Sequence, residues 1–267
     1  MIITPPIESM SSAFDVKGKN VVVTGGNRGI GLGITKAFAQ SGANVAILCR
    51  NEESGREAVE SLSEYGGKYK CIGVDISDYE AVVNASKSVY EFFESVDVLV
   101  NNAGIGSTVN FFDPNGLEEW HRVIDTNLHG VANIIHAIVP GMKDAGRGGT
   151  VINISSVGGQ RVSNSRKLPH PPYNVSKAGV DIFTKYLAIA LGDYGIRVNA
   201  IAPAMTHSDL GKDLPPAMKE MIDTAMPAHR LGDPLEIGAL CVFLASPAGV
   251  HITGTILAHD GGLMTIT

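Results

Sequence analysis

Asn20-Val21-Val22-Val23-Thr24-Gly25-Gly26-Asn27-Arg28-Gly29-Ile30-Gly31 runs from a β-branched segment straight into a cluster of glycines. Its first five residues read as a short buried strand that breaks at Gly25-Gly26. Ile34, Ala37, Phe38 and Ala39 then recur at helical spacing up to Ser41-Gly42. Strand, glycine turn and helix start, in that order, are what a phosphate-binding βα unit requires. The glycines allow a tight turn and let a pyrophosphate approach backbone N–H groups; the helix start adds unpaired donors and a partial positive charge. Gly25, Asn27, Arg28, Gly29, Ile30 and Gly31 are therefore the first candidate binding residues.

Outward from this unit the same alternation repeats. Short apolar runs at 44–49, 70–74, 97–100, 150–154, 196–201 and 255–258 read as strands. Between them, helical patterns cover 51–65, 78–93, 117–142, 173–193 and 234–245. In the second of these, Val82, Ala85, Val89 and Phe92/Phe93 form the apolar stripe. Residues 206–227, rich in Met, Pro and charge, read as two short helices. Strands alternating with helices, with no repeat, predict an α/β fold built on a doubly wound parallel sheet. No linker divides it, so residues 18–267 read as one domain. Residues 1–17 contain Pro5-Pro6, Glu8 and Asp15 without a basic, then apolar, leader pattern, and read as a loose N-terminal extension.

Composition narrows the classes of function. A chain of 267 residues with 44% hydrophobic residues can bury one large core. A formal charge of -6 without a basic block argues against a nucleic-acid partner and is common in cytoplasmic enzymes. No stretch approaches the roughly eighteen apolar residues that a membrane helix needs. Cys49, Cys71 and Cys241 share no C-x-x-C spacing, so neither a disulfide framework nor a zinc site is expected, and no metal is. Cys49 and Cys71 read as small buried hydrophobes.

The chemistry concentrates at Tyr173-Asn174-Val175-Ser176-Lys177. A tyrosine and a lysine four apart on a helix share one face. A free phenol, with a pKa of about 10, is a poor base at neutral pH. Lowering it to about 7 takes roughly 4 kcal/mol, and an ammonium within ~4–6 Å in a partly dry cleft could supply a good share.

With these residues in place the chain resembles the short-chain dehydrogenase/reductase family over nearly its whole length. The resemblance rests on five motifs in register: Thr24-Gly25-x-x-x-Gly29-x-Gly31, Asn101-Asn102-Ala103-Gly104, Asn127 within a helix, Ser156, and Tyr173 with Lys177. It implies a Rossmann-type sheet of seven parallel strands with the site at their C-terminal ends. It implies reversible reduction of a ketone to a secondary alcohol, with Tyr173 as acid/base and Lys177 depressing its pKa and holding the nicotinamide ribose. Ser156, with Ser155 the competing candidate, would orient the substrate oxygen, and Asn127 would anchor a water relaying protons to Lys177. Asn102, Ala103 and Gly104 would line the adenine and ribose, and Asp75 and Ile76 would meet the adenine ring. Asp75 could equally be a simple cap before Ser77. Pro203, Met205 and Ser208 would close over the nicotinamide. A homotetramer joined through the Asn127 and Tyr173 helices and the last strand is implied as well.

The second strand's end selects the cofactor. Relatives that prefer NAD carry an acid there, to bond the adenosine 2′-hydroxyl. Here Cys49 stands at that place, followed by Arg50 and Asn51, and Arg28 lies in the glycine turn. Two guanidiniums can converge on a 2′-phosphate, so NADP(H) is expected. The family pattern is broken in three places. Pro203-Ala204 replaces Pro-Gly, and Ser208 stands where a threonine is usual. A basic insertion around residues 161–170 lengthens the approach to Tyr173; it is either a cleft mouth for hydroxylated or anionic substrates or plain surface loop. Residues 206–227 would form a mobile lid over the pocket. The turn and the second-strand end look similar to polyol and ketose reductases of the family, so a small ketone is the first expectation. A 3-oxoacyl carrier-protein thioester comes second. A non-catalytic NADP(H) sensor is the reading from another class, and the intact Tyr173–Lys177 pair weighs against it.

Overall fold

The computed structural model describes residues 7, 9–107, 109–162, 171–207 and 216–265. The β-branched runs become β1 (Asn20–Thr24), β2 (Asn44–Cys49), β3 (Tyr69–Gly73), β4 (Val98–Asn101), β5 (Gly149–Ile154), β6 (Ile196–Pro203) and β7 (Ile256–His259). They form one seven-stranded sheet in the order β3-β2-β1-β4-β5-β6-β7, every pair parallel. Val22 lies opposite Ala46 on one side and Leu99 on the other. After β3 the chain returns across β1 to lay down β4. The order therefore reverses between β1 and β4, where a crevice opens beyond the strands' C-terminal ends.

The helices are α1 (Met10–Ala13), α2 (Gly29–Gln40), α3 (Glu52–Glu60), α4 (Tyr79–Phe92), α5 (Gly116–Ile124), α6 (Gly130–Asp144), α7 (Pro171–Leu191), α8 (Pro216–Ala225) and α9 (Pro234–Ala245). Strand side chains alternate between two cores. Val22, Leu48, Leu99, Val151 and Val198 meet Val82, Val89, Ile134, Ile138, Val180 and Leu187 of α4, α6 and α7. On the opposite face Val21, Val23, Ile47, Val100 and Ile152 meet Ile34, Phe38, Ile237 and Leu244 of α2 and α9. A methyl group at Gly33 would overlap Pro234, so α2 and α9 cross at contact distance. That contact fixes where the N-terminus of α2 points.

Three expectations about the elements are revised. The 51–65 helix divides into α3 and a 3₁₀ turn, Ser63–Tyr65, that ends on Gly66 with φ of 72°. The long 117–142 helix is interrupted by a π-helical turn, Asp125–His129, between α5 and α6. The N-terminal stretch is anchored further out than a loose extension would be. Ser9 and Ser12 form a capping box, and Ala13 and Val16 are buried, Val16 within the α2/α9 core. Two apolar side chains suffice to dock this otherwise polar run. Of the two helices expected in 206–227, α8 is described, and residues 208–215 lie outside the described residues.

A buried polar ladder sets the position of α7. Asn101 Nδ2 donates to Asn153 Oδ1 at 2.9 Å, and Asn153 Nδ2 donates to Thr184 Oγ1 at 2.8 Å. It ties β4, β5 and α7 together beneath the residues that bear the chemistry.

Candidate active site

The glycine turn has the backbone its sequence demands. Gly25 and Gly29 have φ of 63° and 51°, a left-handed conformation that side-chain-bearing residues rarely adopt. A methyl group on Gly31 would overlap the Gly25 carbonyl and the Asn102 side chain. Thr24 Oγ1 accepts from the backbone N–H groups of Asn102 and Ala103, both at 3.0 Å. Asn102 Nδ2 returns hydrogen bonds to the carbonyls of Thr24, at 2.9 Å, and Gly25, at 3.2 Å. The Asn102 amide thus holds the turn from behind, with Ala103 and Gly104 following it at the end of β4. Arg28 is exposed at the N-cap of α2, and Ile30 follows in the helix's first turn. A cradle without β-carbons at the N-terminus of a twelve-residue helix fits a pyrophosphate.

The turn after β2 lies alongside. Asn51 caps α3, its Oδ1 accepting from Ser54 N–H at 3.0 Å, and Asn27 Nδ2 donates to Ser54 Oγ at 2.7 Å. Arg50 is exposed, with Nη1 3.9 Å from Asp75 Oδ2. Two well-exposed groups at that distance form a weak pair, so the guanidinium can turn toward a ligand. Partial burial pushes the Asp75 carboxyl upward, but hydrogen bonds from Ser77 and the charge of Arg50 outweigh it and hold it below the usual range. Asp75 therefore does brace its own turn, while Asp78 is the cap of α4. Ile76, expected to meet the adenine ring, is buried. Its side chain packs in the core against Gly130, and its carbonyl accepts from Asn133.

At the far end of the crevice Ser156, Tyr173 and Lys177 converge. Ser156 Oγ accepts from Gly158 N–H at 3.1 Å, and its hydroxyl is near enough to Tyr173 to pull the phenol's pKa down. Ser155 turns the other way and donates to the Lys177 carbonyl at 3.3 Å, so Ser156 is the serine that faces the phenol. Lys177 is buried, and its Nζ donates to the Ile154 carbonyl at 2.7 Å and lies 5.8 Å from the Tyr173 ring centre. A methyl group added at Gly104 would lie 3.2 Å from Asn127 Oδ1 and 3.5 Å from Lys177 Nζ, so only a residue without a side chain leaves that space open.

Burial raises the Tyr173 pKa above its ordinary 10, with Ser156 opposing the rise, against the expected depression. Asn127 is fully buried, and its side chain is spent on structure. Its Oδ1 accepts from Ile105 N–H at 2.8 Å, and its Nδ2 donates to Ile105 O and Ser176 Oγ. The π turn that carries Asn127 joins the loop after β4 to α7.

Pro203 ends β6, and Met205 packs with Met226, Leu231 and Leu263. Ser208 lies outside the described residues, as do residues 163–170 of the basic insertion. Among the described residues no group of His, Cys, Asp or Glu is placed to hold a metal, and no helix is long and apolar enough to cross a membrane.

One neighbour of the site escaped the motif reading. Asp181 is four residues beyond Lys177, a spacing that alone predicts contact. Burial raises its carboxyl pKa while Ser155, Lys185 and Lys177 oppose the rise. In turn, burial lowers the Lys177 ammonium from 10.5 to about 8, against the pull of Asp181. From about pH 8 to 10.5 the unfolded chain holds this proton and the folded one does not, so this group's contribution to stability increases with pH. Below that window both states are charged and the burial cost is felt in full. The stability of the wild type relative to Lys177→Met should therefore rise by on the order of 1–3 kcal/mol from about pH 7.5 to about pH 10. Denaturant midpoints of both proteins measure it; a constant difference would show that no buried ammonium loses its proton.

A doubly wound sheet with a glycine cradle at its switch point and a Tyr–Lys pair at the same strand ends defines a dinucleotide-dependent oxidoreductase. Residues 25–264 match a family model described as enoyl-(acyl carrier protein) reductase. The chain is 40% identical to the 3-oxoacyl-[acyl-carrier-protein] reductase of Chlamydia muridarum, over 92% of this chain and 97% of that one. It is 37% identical to 3beta-hydroxysteroid dehydrogenase 1 of Eggerthella lenta, over 93% of this chain and 95% of the relative. The crystal structure of L-sorbose reductase from Gluconobacter frateurii, complexed with NADPH and L-sorbose, superposes with a TM-score of 0.86 at 30% identity, covering 96% of this chain and all of that one, 100%. The chain belongs to the short-chain dehydrogenase/reductase family and is an oxidoreductase of that family.

Proposed function

We propose that the protein uses NADPH to reduce the carbonyl of a small, sugar- or polyol-derived ketone to a secondary alcohol, and catalyses the reverse with NADP⁺. The observation that carries this is the convergence of Ser156, Tyr173 and Lys177 between the end of β5 and α7, with Lys177 Nζ 5.8 Å from the phenol ring and bonded to the Ile154 carbonyl. A carbonyl oxygen placed between the two hydroxyls would be gripped by Ser156 and would take its proton from Tyr173. The dinucleotide supplies the hydride to the carbonyl carbon. A phenol whose pKa is raised by burial stays protonated at neutral pH, which suits the acid role and favours the reducing direction. Gly25, Gly29, Ile30 and Gly31 would receive the pyrophosphate, and Ala103 and Gly104 the ribose. Asn27 and Asn51 shape the adenosine end, where Arg50 and Arg28 would take the 2′-phosphate.

The similarity to L-sorbose reductase supports the ketose reading, and the similarity to a 3-oxoacyl carrier-protein reductase supports a second, thioester-linked substrate. Following nicotinamide absorbance with NADPH or NADH against ketoses, diketones, keto acids and a 3-oxoacyl thioester separates them. Turnover of a ketose or diketone with NADPH is expected. Turnover of the thioester alone would favour the second reading, and tight NADPH binding with no turnover would move the protein to the sensor class.

The outward face of α7 supports the tetramer. Val175, Ile182, Tyr186 and Ile189 are 47%, 66%, 67% and 85% exposed, a helix-long apolar stripe on the surface. A partner covering it would bury these side chains at about 1.5–3 kcal/mol each. Ile182→Glu together with Ile189→Lys should therefore shift the mass measured by light scattering toward dimer or monomer. An unchanged mass would place the assembly surface elsewhere.

A further inference from the structure

Cys49 and Cys71 take no part in the chemistry above, yet their sulfurs lie 3.6 Å apart. Ile47 pairs with Cys71 and Cys49 with Gly73, so the cysteines are diagonal neighbours on one face of the β2/β3 pair. Helix α3 covers that face at Gly55, where a methyl group would overlap both sulfurs. Cys49 is buried, whereas Cys71 is half-buried and opens onto a groove lined by Glu52, Arg56 and Lys70. The third thiol, Cys241, is enclosed in the α2/α9 core. One accessible thiol backed by one sheltered thiol is the arrangement in which a first disulfide, made with a small molecule, is resolved internally.

We propose that Cys49 and Cys71 form a reversible thiol–disulfide site whose oxidant is a low-molecular-weight disulfide such as oxidised glutathione, and that closing it weakens dinucleotide binding. Cys71, its proton lost to solvent, attacks one sulfur of oxidised glutathione; the glutathione S–S bond breaks and one glutathione leaves as the thiol after taking up a proton. Cys49 then attacks Cys71 Sγ, the mixed disulfide breaks, and the second glutathione leaves with the proton that Cys49 gives up. Two protein thiols are oxidised, and one small disulfide is reduced to two thiols. An offset of two residues on paired strands sets the two Cα atoms roughly 8 Å apart, beyond the usual ~4.4–6.8 Å span of a disulfide, so closing the 3.6 Å gap between the sulfurs needs a backbone shift at the end of β2 as well as side-chain rotation. Burial pushes the Cys49 thiol up to about 12 and raises Cys71 as well, so the reaction is slow at neutral pH and accelerates with alkalinity.

The link to the dinucleotide is covalent and short. Cys49 immediately precedes Arg50 and Asn51, and the two sulfurs support α3, whose first turn carries Ser54 against Asn27. Pulling Cys49 toward β3 displaces the adenosine end of the crevice. This coupling rests on the dinucleotide reading above; the disulfide itself does not.

The test is thiol counting and intact mass after incubation of the whole protein with oxidised glutathione at about pH 8.5. The expected result is loss of two of the three thiols, a protein lighter by two hydrogens, and full reversal by dithiothreitol. Cys71→Ser should abolish the change and Cys241→Ser should leave it intact. The oxidised protein should bind NADPH at least roughly threefold more weakly than the reduced one by fluorescence titration. Three persisting thiols, or a stable single glutathione adduct, would overturn the site. A complete disulfide with unchanged NADPH affinity would overturn the coupling. Failure of the reduced protein to bind NADPH would instead refute the cofactor reading, leaving the thiol result standing.

Discussion

Tyr173→Phe is expected to lower turnover by about 10²–10⁴-fold while dinucleotide affinity stays within about twofold. The substitution preserves the ring, and with it the packing of α7 against the loop after β5. It removes the one hydroxyl placed to protonate a substrate oxygen held by Ser156. Ser156 keeps its bond from Gly158, so the pocket floor survives the change. The direction of the tyrosine shift adds a second expectation. Alcohol oxidation needs the phenolate, which burial disfavours, so the wild-type oxidation rate should rise steadily with pH above neutrality. Ketone reduction, which needs the phenol, should decline only on the alkaline side. Single-turnover rates in both directions, alongside a fluorescence titration of NADPH, provide the check. Turnover retained by Tyr173→Phe would remove the phenol from the proton path altogether.

These expectations depend unequally on sequence and structure. The glycine turn was legible because its chemistry is local: Gly25 and Gly29 need backbone angles that other residues avoid, and the flanking periodicities change from strand to helix. The alternation of strands and helices was legible for the same reason, and so the sheet followed. What the chain could not disclose was anything set by burial or register. Ile76 and Asp75 are sequence neighbours, yet one faces the core and the other the crevice. Tyr173 and Lys177 have the spacing of an activated pair, but the sign of the phenol's shift depends on how much protein surrounds it. The commitments of Asn127 arise from a π turn, which a helical period does not foretell. Cys49 and Cys71 are 22 positions apart and meet only because β2 and β3 pair with a particular stagger.

Arg50→Asp is expected to weaken NADPH binding by roughly a hundredfold and to leave NADH binding unchanged or slightly improved. A hydrogen bond from a guanidinium to a charged phosphate contributes about 1.5–3 kcal/mol, or roughly ten- to a hundredfold in affinity. The replacement also sets a carboxylate beside Asp75 at the place where the 2′-phosphate would sit, and like charges there oppose binding further. NADH meets none of this, because an acid at the end of the second strand can bond its free 2′-hydroxyl. The existing Arg50–Asp75 contact does not compete seriously. Both groups are exposed and 3.9 Å apart, and such surface pairs contribute about 0–1 kcal/mol, less than the phosphate would. Arg28→Ala is the companion variant, expected to cost about tenfold in NADPH affinity, since it removes one donor without adding a charge. Titrating both cofactors into wild type and both variants at fixed salt decides the matter. Selective loss of NADPH would assign the phosphate to these arginines. Equal losses for both cofactors would mean that Arg50 shapes the turn after β2 rather than reading the phosphate, and cofactor choice would then have to be sought in Asn27, Asn51 and Ser54.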